Sequence, residues 1–566
     1  SSPQVRERVQ ARGAALEPLV SGNETGEVVF GRAQVGGAPV YLFTAFLDEA
    51  NPQIQQWAYF NYWVYAAVSQ AGGREPLVFG DYRGSPVPQP ADRAVLLAAC
   101  AAMLLVAVTA FVFVRRYSRR HPELLDSIVS NRSAYEKHQA ATSWEEVGFH
   151  RPLGGFLLAL MLGFVFFIPL IIYQNLILPV YILPSAQALG IWGRVVQLFN
   201  VLWLLLDMGT SAAFIKFFSE YRVSDPKTGI KFGQVFIWWQ LLSGAVQVAL
   251  VTLTASLLLP HSPYAIYAWS IIVHALIQIP GFYGLYRHSL PANQRFDYAQ
   301  IVDMAKELVL PVIVQPVFVT LMILWGRNNP IFGPSMGGLI GLGIAAYVVE
   351  LLTFLVGFFL NRRLGYSNKL LFLAHFDWAI IKKSFRFGVF EMLGSIAWAG
   401  GQAMEILITQ AKLVNYAEIW GNWGLAQNFI YAFNVVSLLY NNLMPSISEA
   451  ISNARRKLSM YYSAVAYKYG GIISAYIGAV LLAVADRFIL GASGPEFSRA
   501  ALYAVPLIIW GAIQYPSWVG DNVQLGSNRP YLKSVMVLSE QIIRITLAFF
   551  LVEKLQVAGL VVAYFI

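Results

Sequence analysis

Glu391, Ser395, Trp398, Gln402 and Glu405 recur at i, i+4, i+7, i+11 and i+14, so on a helix they share one face. Two carboxylates, a hydroxyl, an indole and an amide would then form a stripe about 21 Å long. The surrounding run, 387–410, is otherwise apolar. Ionisable groups in such a run are functional candidates by default. The stripe reads as a polar track touching a substrate or a coupling H+ or Na+. The structural alternative puts Glu391 at a membrane interface and pairs Glu405 near the other side. A second stripe follows: Gln427, Tyr431, Asn434, Leu438 and Asn441 keep the same spacing within Gly421–Met444, which is uncharged. Amides are costly in hydrocarbon, so this face is expected to line something polar.

Other polar residues interrupt apolar runs. Asn200, Asp207 and Ser211 share one face of the run 187–214, and Arg194 and Gln197 lie on another. The Arg194 guanidinium matches an anionic head group, or snorkels to an interface. Glu350 stands near the middle of its run and is a coupling candidate, with an arginine expected as its partner. Glu540 and Arg544, spaced i, i+4, are expected to neutralise each other. His274 is expected to serve packing.

The elements that position these groups follow from composition. The 566 residues are 57% hydrophobic and 13% charged, with mean hydropathy +0.55. Soluble domains carry about twice that share of charge, so most of the chain belongs in lipid. One leading run, 94–114, precedes twelve more between 154 and 566. The net charge of +9 does not call for nucleic acid, because Lys and Arg gather in alternate loops. Arg115, Arg116, Arg119, Arg120, Lys216, Arg222, Lys227, Arg362, Arg363, Lys382, Lys383, Arg455, Arg456 and Lys457 belong to one set; the opposite loops hold Arg327, Lys412, Arg487 and Lys554. The first set is therefore cytoplasmic, and residues 1–92 lie outside the cytoplasmic (inner) membrane. The absence of an initiator Met agrees with a cleaved leader, and the run ending at Ile566 is expected to continue.

Residues 1–92 read as a small α+β domain: a hairpin of Val28–Val35 and Val40–Phe46, then an aromatic helix over 57–72, and a Pro/Gly-rich linker over 84–90. Pro445 is expected to end the helix that carries the second stripe. An amphipathic surface segment with Glu449, Arg455, Arg456 and Lys457 follows it. Cys100 is the single cysteine, which excludes an intrachain disulfide or a cysteine metal site. No Walker lysine motif, HExxH or nucleophile elbow is present, so an enzyme and a bound cofactor are not expected.

Ala188–Gly193 (ALGIWG), Leu205–Tyr221 (LLDMGTSAAFIKFFSEY), Met444–Ile451 (MPSISEAI), Leu525–Pro530 (LGSNRP) and Ala558–Ala563 (AGLVVA) resemble helices of polysaccharide transporters. Those belong to the multidrug/oligosaccharidyl-lipid/polysaccharide exporter superfamily. The resemblance covers about residues 153–566. It implies an all-α polytopic fold with two six-helix lobes, 153–362 and 363–566, around a central cavity. The first, second, seventh and eighth helices would line that cavity, placing both stripes on its wall. It also implies alternating access for a polysaccharide or a lipid-linked oligosaccharide, usually without ATP. The extra transmembrane helix (93–116), the cytoplasmic linker (117–152) and the outside domain (1–92) depart from the pattern. They suggest contacts with other envelope proteins. Two alternatives share the fold: a cation-coupled multidrug exporter, and a transporter-derived scaffold within a larger membrane complex.

Overall fold

The computed structural model describes residues 17–21, 28–35, 38–44, 60–73, 75, 93–141, 161, 165, 169, 172–183, 186–259, 267–277, 281–329, 333–413, 416–427, 429–433, 436, 443–493 and 498–565. The chain separates into two compact units. In the first, 1–87 with 259–266, three strands form an antiparallel sheet in the order β1 (Glu17–Ser21), β2 (Val28–Val35), β3 (Ala38–Phe43). The expected hairpin is present, with Val35 opposite Ala38; β1 is an additional strand, bulged against β2. Helix α1 (Phe60–Ala71) packs Trp63 edge-on against Phe30 and Phe43.

Among its described residues the second unit, 88–258 with 267–566, is built of helices, with one isolated bridge between Val129 and Tyr366. In order come α2 (Arg93–Arg120), α3 (Arg132–Ala141), a π-helical segment (Tyr173–Ile182), α4 (Ala186–Asp207), α5 (Thr210–Tyr221), α6 (Pro226–Leu253), α7 (Ala268–Ile277), α8 (Leu285–Ala292), α9 (Phe296–Met304), α10 (Leu310–Arg327) and α11 (Gly333–Arg363). Then follow α12 (Asn368–Leu371), α13 (Trp378–Lys412), α14 (Tyr416–Gln427), α15 (Leu443–Ser452), α16 (Arg456–Ser493), α17 (Ser498–Ile513), α18 (Tyr515–Gly526), α19 (Pro530–Leu555) and α20 (Val557–Phe565).

Among the described residues, six helices are long and apolar enough to cross a membrane, and counting two bent pairs as one span each gives eight. That is fewer uninterrupted spans than the thirteen apolar runs. Part of the difference lies outside the described residues, as with most of 154–171. Part is physical. The run 187–214 bends by 51° between Asp207 and Thr210, because Met208 and Gly209 take positive φ. The run 499–519 is divided at Gln514. Helix α13 spans 35 residues, but its glycines, Gln402 and two glutamates lower its mean hydropathy below that of the six.

Gly421–Met444 is not one helix either. Helix α14 ends at Gln427, and Ile430–Phe433 winds as a 3-10 turn, so 3.6-residue spacing fails there. Pro445 does not end a helix: it sits in the first turn of α15, where its missing N–H costs little. Glu449 does not lie on an amphipathic surface segment: all of Leu443–Ala450 is buried.

Of several apolar cores, the two largest mark the two halves. One gathers Phe214, Phe217, Phe236, Leu285, Tyr286 and Leu290, and draws in Phe387, Met444 and Leu525 from the later chain. The other gathers Trp423, Phe433, Ile489, Ile508, Val552 and Leu560. A smaller core holds Leu443, Ile447 and Ala450 of α15 against Tyr462 and Val519.

Candidate functional site

Two polar assemblies stand on this frame. The first lies between α13 and α19, which run parallel: Glu391 meets Lys533, 142 residues on, and Lys412 meets Glu553, 141 residues on. Small residues allow the approach. A Cβ on Gly401 would fall 2.0 Å from Gln541 Oε1, as expected where membrane helices pack closely. Lys533 Nζ donates to Glu391 Oε1 at 3.2 Å, and Ser395 Oγ donates to the same oxygen at 3.0 Å.

Further along, the Tyr564 hydroxyl reaches both Glu405 oxygens at 3.1 Å, and Arg544 Nη2 lies 3.9 Å from Glu405 Oε2. The guanidinium sits 5.0 Å from the Trp398 ring and 4.9 Å from that of Tyr564. Gln427 also interacts with the Tyr564 hydroxyl. At the far end Lys412 Nζ donates to Glu553 at 2.8 Å and to the Phe549 carbonyl at 2.6 Å. Arg544 thus stands 3.9 Å from Glu405, and it also acts electrostatically on Glu540 four residues earlier on its own helix, as the i, i+4 spacing leads one to expect.

Of the first stripe, Glu391, Ser395, Trp398 and Glu405 thus join a ladder to α19, and Gln402 is exposed. Of the second, Gln427 is described; the Tyr431, Asn434 and Asn441 side chains lie outside the described residues.

The second assembly joins the two halves. Asp207 caps α5: it accepts from Thr210 Oγ1 at 3.0 Å, from Ser211 Oγ at 2.8 Å and from Gln240 Nε2. The cap fixes the bend, and the bend lets α13 touch it. A Cβ on Gly209 would stand 2.1 Å from the Gly388 carbonyl oxygen.

At the other end of α5, Arg222 Nη2 donates to Glu449 Oε1 at 2.6 Å and Nε donates to Oε2 at 3.1 Å. The pair is buried, with side chains 1% and 4% exposed. Around it Ser448 Oγ donates to the Lys216 carbonyl at 2.9 Å, Ser452 Oγ to the Glu220 carbonyl at 3.1 Å, and Ser446 Oγ to Gln294 Oε1 at 3.1 Å. Lys383 from α13 adds the Tyr221 hydroxyl at 2.8 Å and Glu220 at 3.4 Å. Helix α15 is thereby clasped to the earlier half. This latch was missed in the sequence; the cue was an acid in the serine-rich run MPSISEAIS with no cation at helix spacing.

The remaining candidates separate. Asn200 is exposed together with Arg194 and Gln197, whereas Asp207 is buried, so the expected Asn200–Asp207 face divides. Arg194, Gln197, Asn200 and Gln402 make no ion pair or side-chain hydrogen bond among the described residues. Glu350 is met directly by Lys306 Nζ at 2.5 Å, and Arg287 acts on it electrostatically. His274 packs on Phe199 and Trp192. Among the described residues no cluster of His, Cys, Asp or Glu could hold a metal ion.

No protein-family model matches the chain, and no curated protein matches it in sequence. Solved structures do match. A crystal structure of a MATE point mutant aligns with TM-score 0.60 at 11% identity, covering 74% of this chain and 91% of that one. An outward-facing multidrug resistance MATE family transporter of the MOP superfamily aligns at 0.56 and 11%, covering 74% and 92%. A MOP superfamily transporter from Pyrococcus furiosus, described as having a binding pocket of reverse polarity, aligns at 0.57 and 12%, again covering 74% and 92%. At these identities the likeness is one of fold: the chain has the all-helical polytopic membrane fold seen in MATE transporters.

Proposed function

We propose that the protein is a membrane transporter that moves a polysaccharide or a lipid-linked oligosaccharide across the cytoplasmic membrane by alternating access. The observation that carries the reading is the buried Arg222–Glu449 pair. It ties the halves together at the end that bears the cationic loops, so it closes the cytoplasmic side. A transporter of this design exchanges such contacts as its halves rock. Arg194, which makes no ion pair among the described residues, suits a phosphate, and the Gln197, Asn200 and Gln402 amides suit sugar hydroxyls. Residues 1–92 are read as extracytoplasmic and as a docking module for other envelope proteins.

A cation-coupled multidrug exporter is the second reading, favoured by the multidrug transporter among the fold neighbours. It needs a buried acid free to exchange a proton or Na+. Here Asp207 caps α5 and Glu350 holds Lys306, so release of either would have to accompany the cycle. Coupling to H+ or Na+ is part of both readings.

The test is movement of a fluorescent lipid-linked oligosaccharide in proteoliposomes, with and without an H+ or Na+ gradient. Movement in the native protein that falls at least tenfold in Arg222→Glu and returns in Arg222→Glu/Glu449→Arg supports the glycan reading. Gradient-driven movement of cationic drugs alone favours the exporter. No movement of either in inserted protein favours the scaffold.

A further inference from the structure

A groove of about 710 Å³ lies away from both assemblies, between the extra helix α2, helix α6 and the start of α13. Its wall is aromatic: Phe111 from α2, Trp238 and Trp239 from α6, and Phe385 from α13. Phe111 packs on Trp238 at 5.3 Å, and Trp239 meets Phe385 edge-on at 4.7 Å. Both indole N–H groups are used elsewhere. Trp238 Nε1 donates to the Leu373 carbonyl at 3.2 Å and Trp239 Nε1 to the Leu206 carbonyl at 2.7 Å. What faces the groove is therefore hydrocarbon, which offers water nothing to bind.

Two cations break this apolar lining. Lys382 and Arg386 stand i, i+4 on α13, so they share a face. Both are exposed, and neither makes an ion pair or side-chain hydrogen bond among the described residues. Helical side chains lean toward the helix N-terminus, here the cytoplasmic end, while Val389 and Phe390 continue the apolar lining deeper. The site thus has an anion-binding end at the interface and a hydrocarbon end within the bilayer.

The extra helix is fixed where it forms the wall. Arg115 donates to the carbonyls of Ala374 and Phe376, and Ser118 Oγ accepts from Ala374 N at 2.9 Å. The groove is therefore a built cleft rather than a gap between loose helices.

We propose that this groove binds one acidic phospholipid of the cytoplasmic leaflet. Its phosphate rests on Lys382 and Arg386, and an acyl chain lies against Trp238, Trp239 and Phe385. Charge complementarity selects this occupant: two cations without an ion pair among the described residues attract anionic head groups and discriminate against zwitterionic ones. The site is independent of the transport reading, since none of its residues belongs to the latch or the ladder.

The test uses the full chain, delipidated and placed in vesicles of mixed phosphatidylglycerol and phosphatidylcholine, then extracted in mild detergent for native mass spectrometry. The expected result is one retained phosphatidylglycerol, preferred over phosphatidylcholine by about tenfold. Lys382→Gln/Arg386→Gln loses that preference, and Lys382→Arg/Arg386→Lys keeps it. Leu242→Trp, which fills the groove from α6, lowers retention of both lipids while leaving the protein monodisperse. Equal retention of the two lipids by the native chain overturns the proposal. So does a double glutamine variant that retains phosphatidylglycerol undiminished, or retention of a lipid-linked glycan in its place from native membranes.

Discussion

The α13–α19 ladder and the α5–α15 latch both bury ion pairs, but they do so differently. The ladder lies along two parallel helices of the same half. Its charges are spaced over the whole length, from Glu391–Lys533 to Lys412–Glu553, with small residues between. Separating those helices would strip Arg544 of Glu405 and of the Trp398 ring at once. The latch is gathered at one end, between different halves, and three serines complete it by bonding to backbone carbonyls or an amide. In the proposed cycle its opening lets water replace each of those bonds. The lesson is that burial alone does not mark a moving part; what counts is whether the separated groups can be solvated.

That contrast predicts a ranking. Glu405→Gln should have one of the two largest effects on stability, about 3–5 kcal/mol, because it removes the carboxylate 3.9 Å from the buried Arg544. Thermal unfolding in detergent measures it; an unchanged midpoint would mean that the ladder carries no stability. Arg222→Ala leaves Glu449 buried without its counter-ion and should cost as much as Glu405→Gln, about 3–5 kcal/mol, while raising cytoplasmic accessibility the most. Gly388→Ala should come next, since its Cβ would fall 2.3 Å from the Met208 carbonyl oxygen. We expect a loss of about 1–3 kcal/mol in the same measurement. Lys412→Ala should cost under about 1 kcal/mol, because Glu553 is 71% exposed and solvated without it.

The smallest expected effect is on pH dependence. His375, outside the spans, donates its backbone N–H to Gln234 Oε1, and its ring Nε2 reaches the His121 carbonyl at 3.2 Å. Burial holds its pKa below the ordinary histidine value. The folded state therefore favours the neutral ring. This contribution is complete above the unfolded pKa and is lost as pH falls through it toward the folded value. His375→Gln should flatten that part of the stability profile, as a melting series between about pH 7.5 and 5 would record.

Much of the fold was legible in the sequence. Apolar runs located α2, α6, α10–α11, α16 and α19, and Val28–Val35 with its partner strand announced the hairpin. The bend at Met208–Gly209 was not, since a periodic apolar run looks the same whether or not two residues take positive φ. The spacing of the α13 stripe says that its residues share a face, and three of them, Glu391, Trp398 and Glu405, do meet polar or charged partners on α19 and α20. What they meet could not be read: Lys533, Arg544 and Tyr564 lie about 140 to 160 residues away in sequence and no local spacing refers to them. Arg222 and Glu449 are 227 residues apart and looked like a loop cation and a surface acid. Only packing of α15 against α5 turns them into a buried pair.

The most direct test of the account is thiol accessibility at the latch. Ser446→Cys in a Cys100→Ser background places the single reactive thiol beside Gln294 under the Arg222–Glu449 pair. In inverted membrane vesicles, a membrane-impermeant maleimide should label it slowly in the otherwise native chain. Adding Arg222→Ala should speed labelling at least tenfold, and Arg222→Glu/Glu449→Arg should return it toward the slow rate. Labelling at one rate in all three proteins would contradict a latch that closes the cytoplasmic side.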